Sequence, residues 1–343
     1  MSLRVAVVGA TGAVGTVMLR LLGQRDFPAR EIVPFASERS VGRELGGGLV
    51  VQPLNDETIQ GFDLALFSAG ATRSRAWAPR FVAAGAVVVD NSSAFRMDDD
   101  VPLVVSEVNP EALDAHLGIV ANPNCTTMVA MLPLKALHDG FGLREMVATS
   151  YQAAGGAGQK GIDELAAQVA PLAEDVDQLC EDGAKAAAMV AHSVHEATLA
   201  FNVVPLLGTR GEENYTDEEL KLRNESRKIL SIPDLGVSPT CVRVPVMVGH
   251  GVQVRARFER EIDLDLALEL LREFPNLVLD DVPTPLEYAG RDEVAVGRVR
   301  RDLSDPRSLN FFVVGDNLLK GAALNTVQLA EALHQRGLVG ARV

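Results

Sequence analysis

The stretch Asn122-Pro123-Asn124-Cys125-Thr126-Thr127 has the plainest chemical potential. Its polar residues precede an apolar segment with helical spacing, so a helix is expected to start near Thr126, with the Cys125 sulfur at its N-terminus. The partial positive charge of such an end favours the thiolate, and the N–H groups there can receive an oxyanion. The competing reading is a small buried hydrophobe, the common fate of a lone cysteine. Cys180 and Cys241 lack the polar setting and keep that reading. A thiolate also needs a base. Of the six histidines, His250 lies in Gly249-His250-Gly251, behind an apolar strand carrying Arg243, which could fork onto a carboxylate. The alternative is a turn histidine beside a structural arginine. His116, His138 and His334 sit among charged residues and read as surface positions. His192 and His195 form either a weak metal pair or a solvated loop.

A second chemistry-bearing run is Gly9-Ala10-Thr11-Gly12-Ala13-Val14-Gly15. It follows the apolar run Leu3–Val8 and leads into Val14, Met18, Leu21 and Leu22 at helical spacing. Between a strand and a helix, glycines let the backbone approach a pyrophosphate at the helix N-terminus. Gly9, Thr11, Gly12, Ala13, Val14 and Gly15 are therefore candidate dinucleotide contacts, against the reading of a plain tight turn. The second expected strand ends in Ala36-Ser37-Glu38-Arg39-Ser40. An acidic residue there holds a ribose 2′-OH, whereas Arg39 and Ser40 could grip a 2′-phosphate, which favours NADP. Glu38 argues the other way, and a solvated loop with an incidental arginine is the third reading.

These residues need a frame. Leu3–Val8, 32–35, 64–67 and 86–89 read as buried strands, with 74–84 helical between the last two. This βαβαβ alternation predicts a parallel, doubly wound Rossmann-type sheet. Its strand C-termini then share one edge, with the turns Ala69-Gly70, Asn91-Ser92-Ser93 and Asn122-Pro123-Asn124. Beyond Met128 the pattern becomes mixed: helices over 129–137 and 162–169, and strands over 146–152, 240–247, 252–258, 294–300 and 309–314. This is a second, α+β domain, which carries His250 and Arg243 and is therefore expected to serve catalysis. The run from Glu212 to Lys228 reads as charged and exposed, with a helix in it, and 321–333 as a final helix able to pack on the first domain. The expected division is 1–127 with 316–343, and 128–315.

Composition limits the partners. At ~150 residues per domain, 343 residues suggest two domains. Lys and Arg total 32 against 46 Asp and Glu, a net charge of −14, which argues against nucleic acid and anionic membrane surfaces. The longest apolar candidate, 81–89, is far short of a bilayer span of ~20 residues. The N-terminus reads as a strand, not a signal peptide. Three cysteines without a CxxC pair fit a reducing compartment, so a cytoplasmic protein without a metal is expected.

GATGAVG (9–15), FASERSVG (35–42), LFSAG (66–70), DNSSAFR (90–96), VPLVVSEVN (101–109), ANPNCTT (121–127), SYQAAGGAG (150–158), AFNVVP (200–205), EELKLRNESRKIL (218–230), CVRVPVMVGH (241–250) and GDNLLKGAALNTVQ (315–328) occur in this order. Through them the chain resembles bacterial aspartate-β-semialdehyde dehydrogenase nearly end to end. The resemblance implies Cys125 as acyl-thioester nucleophile, His250 as acid/base and Gln152 orienting the substrate. It implies Arg243 and Glu218 on the α-carboxylate and α-amino groups, and Arg96, Asn124 and Lys221 as the phosphate site. Gly155, Gly156 and Asn317 would lie along NADP. The implied reaction joins L-aspartate 4-semialdehyde and inorganic phosphate into L-4-aspartyl phosphate. In biosynthesis of lysine, methionine, threonine and isoleucine it runs reductively, in a homodimer formed through the second domain. Two departures stand out. Gly155 replaces the serine usual in relatives, and 180–199 does not match the usual stretch ahead of AFNVVP. The nearest rival, N-acetyl-γ-glutamyl-phosphate reductase, has an aromatic residue after the cysteine where this chain has Thr126. It also has no free amine for Glu218. A non-catalytic paralogue would lack the cysteine.

Overall fold

The computed structural model describes residues 2–339 and divides into two compact units. One comprises the chain up to 131, residues 224–233 and the chain from 318 onward; the other comprises 132–223 and 234–317. The short return of 224–233 to the first unit is a feature the sequence did not suggest.

The first unit opens with β1 (Leu3–Val8), α1 (Ala13–Gln24), β2 (Ala29–Phe35), β3 (Leu64–Phe67), α2 (Ala71–Ala83), β4 (Val87–Asp90) and β5 (Ile119–Ala121). The strands are parallel in the order β2-β1-β3-β4-β5, the doubly wound Rossmann-type sheet expected. Its central strands are apolar at consecutive positions because helices or loops cover both faces. Phe35, Phe67 and Phe81 pack edge to face on one side. Since all strands run the same way, the turns after β1, β3, β4 and β5 leave one edge of the sheet. Gly9, with φ of +93°, is required there: a Cβ would lie 2.3 Å from the Ser68 carbonyl oxygen. A Cβ on Gly15 would lie 2.2 Å from the Gly9 carbonyl oxygen, so the start of α1 packs directly on this turn.

The helix α3 (Cys125–Phe141) carries the chain into the second unit. There follow β6 (Leu143–Gln152), α4 (Gln159–Ala173), α5 (Val176–Glu181), α6 (Gly183–Ala187), α7 (Asp217–Ile229), β7 (Gly236–Arg243), β8 (His250–Phe258), α8 (Leu264–Glu273), β9 (Leu277–Leu279), α9 (Pro285–Tyr288), β10 (Val294–Arg301) and β11 (Ser308–Gly315). The mixed sheet has the order β7-β6-β8-β11-β10-β9. In β8, Val252, Val254, Ala256 and Phe258 are buried while Gln253, Arg255 and Arg257 are not, the alternation of a sheet with one wet face. The chain then closes with α10 (Leu324–Gln335), whose Leu324, Val327, Leu329 and Leu333 join Met18, Leu21 and Leu22 of α1 in the first unit's core. Among the described residues no helix is long and apolar enough to cross a membrane.

Four expectations are corrected. The strand expected over 240–247 spans 236–243, because Pro245 has no N–H for the ladder and the chain turns toward Gly249. The run 212–228 is not simply exposed: Leu222, Glu225 and Ser226 on α7 are buried. The final helix is preceded by one π-helical turn, Leu319–Ala323, buried throughout. His116 is buried, its Nδ1 accepting the Gly118 N–H, and His195 is buried with Nε2 3.3 Å from the Gly161 carbonyl, so neither is a surface or solvated-loop residue. Among the described residues no cluster of three metal-ligating side chains occurs.

Candidate active site

Within the first unit, the site is assembled around the start of α3. Asn124 Oδ1 accepts the N–H groups of Thr126 at 2.9 Å and Thr127 at 3.3 Å, a side-chain cap that makes Cys125 the first residue of the helix. The cap satisfies two donors that a helix start otherwise leaves open. Cys125 is half-buried, whereas Cys180 is exposed and Cys241 buried, so only Cys125 combines access with a helix N-terminus. The hydroxyls of Thr126 and Thr127 are buried with no hydrogen-bond partner among the described residues. Polar groups left unsatisfied in this way call for a structural explanation.

The loop ahead of Cys125 is held from several sides. Asn122 Nδ2 donates to Asn91 Oδ1, and its Oδ1 accepts from Asn325 at 2.7 Å. Asn325 in turn receives the ammonium of Lys320, which is fully buried and ion-paired with Glu107. Arg96, also buried, donates from Nε to the Asn122 carbonyl at 2.9 Å and from Nη2 to the Asn91 carbonyl at 3.1 Å. Its Nη1 meets Glu225 at 3.1 Å. The other Glu225 oxygen accepts the Asn124 N–H at 2.6 Å. A guanidinium has five N–H groups, so Arg96 keeps donors for a further anion after these three bonds.

The same unit carries the candidate dinucleotide contacts. Gly12 caps α1 without a side-chain bond, and the first turn holds no acidic residue, so this N-terminus is open to an anion. Arg39 and Ser40 lie in a one-turn 3₁₀ helix, Glu38–Ser40, just after β2; Arg39 is exposed and Ser40 half-buried.

In the second unit, His250 opens β8 and is fully buried. Its Nδ1 accepts the Ala153 N–H at 3.0 Å, which anchors the ring. Burial, then the Arg243 charge, lowers its pKa to about 3, with Glu218 and the Gly249 carbonyl opposing, so the ring is neutral at pH 7. Arg243 Nη1 donates to the Ala153 carbonyl at 2.7 Å. Gly156 packs against this pair: a Cβ there would lie 2.6 Å from Arg243 Nη1 and 3.3 Å from His250 Cε1, so a side chain would displace the guanidinium. Gln152 is buried, accepts from Ser150 and donates to Glu218 Oε1 at 3.1 Å. Glu218 Oε2 accepts from Lys221 at 3.2 Å, and Lys221 also meets Asp217 at 2.7 Å. Burial opposes the Lys221 charge, but the two carboxylates outweigh it and raise its pKa. Asn317 Oδ1 accepts the Gly249 N–H at 2.8 Å, holding the turn before His250. A Cβ on Gly155 would sit 2.8 Å from the Met247 carbonyl oxygen, so this turn has no room for the usual serine without a shift.

Residues 4–116 match the family model described as "Semialdehyde dehydrogenase, NAD binding domain", and 134–320 match "Semialdehyde dehydrogenase, dimerisation domain". The chain is 52% identical over 332 residues to the aspartate-semialdehyde dehydrogenase of Streptomyces akiyoshiensis, covering 96% of this chain and 98% of that one. It is 52% identical over 340 residues to that of Mycolicibacterium smegmatis, covering 96% and 98%. It belongs to the aspartate-semialdehyde dehydrogenase family. Among solved structures it is similar to aspartate semialdehyde dehydrogenase II of Vibrio cholerae complexed with ASA, with a TM-score of 0.90 and 41% identity, covering 98% and 99% of the two chains.

Within this aspartate-semialdehyde dehydrogenase fold, Gln152, Glu218, Lys221, Arg243 and His250 are brought together in one unit. Asn124, Cys125 and Arg96 are brought together in the other. The sequence reading missed Glu225, which ties Arg96 to Asn124. A signal was present: Glu218, Leu222 and Glu225 recur at the four- and three-residue steps of one helical face. It also missed the Lys320–Asn325–Asn122 chain, because an amide on a helix carries no sign of which loop it will meet.

Proposed function

We propose that the chain is a cytoplasmic NADP-dependent aspartate-semialdehyde dehydrogenase of the phosphorylating kind, acting as a homodimer. The observation that carries this reading is the Asn124 cap, which makes Cys125 the first residue of α3 in a chain of this family. The residues present suit a dinucleotide: α1 has an uncapped, open N-terminus after Gly9–Gly12, and a Cβ at Gly9 or Gly15 would collide with backbone. Gly9, Thr11, Gly12, Ala13, Val14 and Gly15 would cradle the pyrophosphate, Arg39 and Ser40 the 2′-phosphate, and Gly155, Gly156 and Asn317 the nicotinamide end. When bound, the nicotinamide supplies the hydride acceptor or donor.

In the oxidative direction the Cys125 sulfur attacks the aldehyde carbon of L-aspartate 4-semialdehyde, the thiol proton passes to the carbonyl oxygen, and a thiohemiacetal forms. Hydride leaves that carbon while His250, neutral at pH 7, takes the hydroxyl proton, and a thioester on Cys125 results. Inorganic phosphate, held by Arg96, Asn124 and Lys221, attacks the thioester carbonyl. L-4-aspartyl phosphate departs and free Cys125 returns. Arg243 and Glu218 hold the α-carboxylate and α-amino groups, and Gln152, fixed between Ser150 and Glu218, orients the carbonyl. Biosynthesis uses the reverse sequence with NADPH. The test is NADP⁺ reduction, followed by absorbance, on adding aspartate semialdehyde and phosphate, with arsenate as the substituting anion. Reduction that proceeds equally without either anion sinks the reading.

A further inference from the structure

Beyond Arg39, a second arginine faces the same space. Off the end of β2 and the first turns of α2 lies an open cavity of ≈ 360 Å³ bordered by Glu38, Arg39, Val41, Leu54, Arg73 and Trp77, all in the first unit. Arg39 and Arg73 are exposed, and neither makes a side-chain hydrogen bond or ion pair among the described residues. Their neighbours differ. Arg75 is paired with Asp98 at 2.7 Å and lies over Phe95. Arg80 is paired with Asp56 at 2.9 Å and lies over the Trp77 ring at 4.7 Å. Thus α2 carries three arginines, and the one bordering the cavity is the one left without a carboxylate.

Two unneutralised guanidiniums on one cavity, against the single carboxylate of Glu38, make a local positive site in a chain of net charge −14. Guanidinium forks match the oxygens of a phosphate dianion. Val41, Leu54 and the Trp77 ring supply an apolar border suited to a flat base. We infer that Arg73, on α2, is a second determinant of cofactor choice, gripping with Arg39 the 2′-phosphate of an adenosine moiety bound in this cavity. The inference rests on the NADP reading above and adds to it a residue outside the β2 turn. It also resolves the ambiguity of Glu38: with Arg73 present, the cations outnumber it.

The test is equilibrium binding by calorimetry, at fixed ionic strength, of adenosine 2′,5′-bisphosphate and adenosine 5′-monophosphate. The proteins are the wild type, Arg39→Ala, Arg73→Ala and Arg73→Lys. Arg73 is exposed and unpaired, so its replacement leaves the fold intact, which a thermal melt checks. Arg73→Ala should weaken the bisphosphate roughly 10- to 100-fold, the size of a lost charge-assisted hydrogen-bond pair, and leave the monophosphate within about twofold. Arg73→Lys should recover part of the loss, since a point charge remains without the fork. If the wild type prefers the bisphosphate, Arg39→Ala removes the preference and Arg73→Ala does not, the role of Arg73 is wrong while NADP use stands. If the wild type binds both ligands equally, the NADP reading and the inference fall together.

Discussion

Glu225 accepts the Asn124 backbone N–H at 2.6 Å, across 101 residues of sequence, and with its other oxygen pairs with Arg96. One buried carboxylate therefore sets both the residue that caps α3 ahead of Cys125 and the cation proposed for phosphate. Breaking a buried pair leaves an uncompensated charge, which typically costs about 3–5 kcal/mol. Glu225→Gln keeps an acceptor for Asn124 but strands the Arg96 charge. We expect about 3 kcal/mol of lost stability in denaturant unfolding. A loss below about 1 kcal/mol would mean that water already screens this pair.

Cys125→Ala should abolish turnover and leave NADPH binding intact, because Cys125 is not among the residues proposed for the dinucleotide and the pyrophosphate is assigned to the 9–15 turn. Fluorescence titration and the reduction assay on one preparation test both halves. More than a trace of activity in the alanine enzyme would falsify the thioester route.

Phosphate use should depend on Arg96 and Lys221. Arg96→Ala is expected to raise the phosphate KM and slow acyl-phosphate turnover by the equivalent of about 2–4 kcal/mol, as for truncating a desolvated charge pair. Lys221→Ala should act more weakly, since a lysine offers a point charge and not a fork, and this one already serves Asp217 and Glu218. NADPH affinity should stay put in both. Unchanged phosphate KM with weakened cofactor binding would reverse the assignment.

Stability should fall with acid through His250. Its folded pKa, about 3, lies below the unfolded value near 6.5, so between these limits the unfolded chain binds the proton that the folded chain refuses. The contribution is complete above pH ~6.5 and is lost as pH falls toward 3. We expect His250→Gln to flatten the pH 7 to pH 5 stability difference by roughly 1–2 kcal/mol in denaturant melts. Parallel pH curves for variant and wild type would show that the ring is already reached by solvent.

Light scattering at micromolar concentration should report twice the chain mass, closed two-fold dimers being the commonest assembly. A single-chain particle removes the homodimer from the proposal.

The first unit was legible because its signals are local. A strand buried on both faces must be apolar at consecutive positions, as 5–8 and 64–67 are, and a turn passing under a helix N-terminus must be glycine-rich, as 9–15 is. Cys125 could be singled out for the same reason: its neighbours along the chain are the residues that cap its helix. The mixed second sheet and the edge shared by the β1, β3, β4 and β5 turns also follow from such periodicities, whereas the order of the strands in each sheet came only with the fold. What tertiary structure alone decided is where long-range polar partners meet. Glu225, Lys320 and Asn325 look like ordinary polar residues of helices. Only when distant segments fold together do they reach Asn124, Glu107 and Asn122 and lose their solvent. The expected exposure of His116 and His195 fails on the same ground, because neither charged neighbours in sequence, as at His116, nor a short histidine spacing, as at His195, decides which side chain faces water. The cavity beside Arg39 is of this kind too. Arg73, Arg75 and Arg80 are equivalent in sequence, and the fold brings an aspartate to two of them and a cavity to the third.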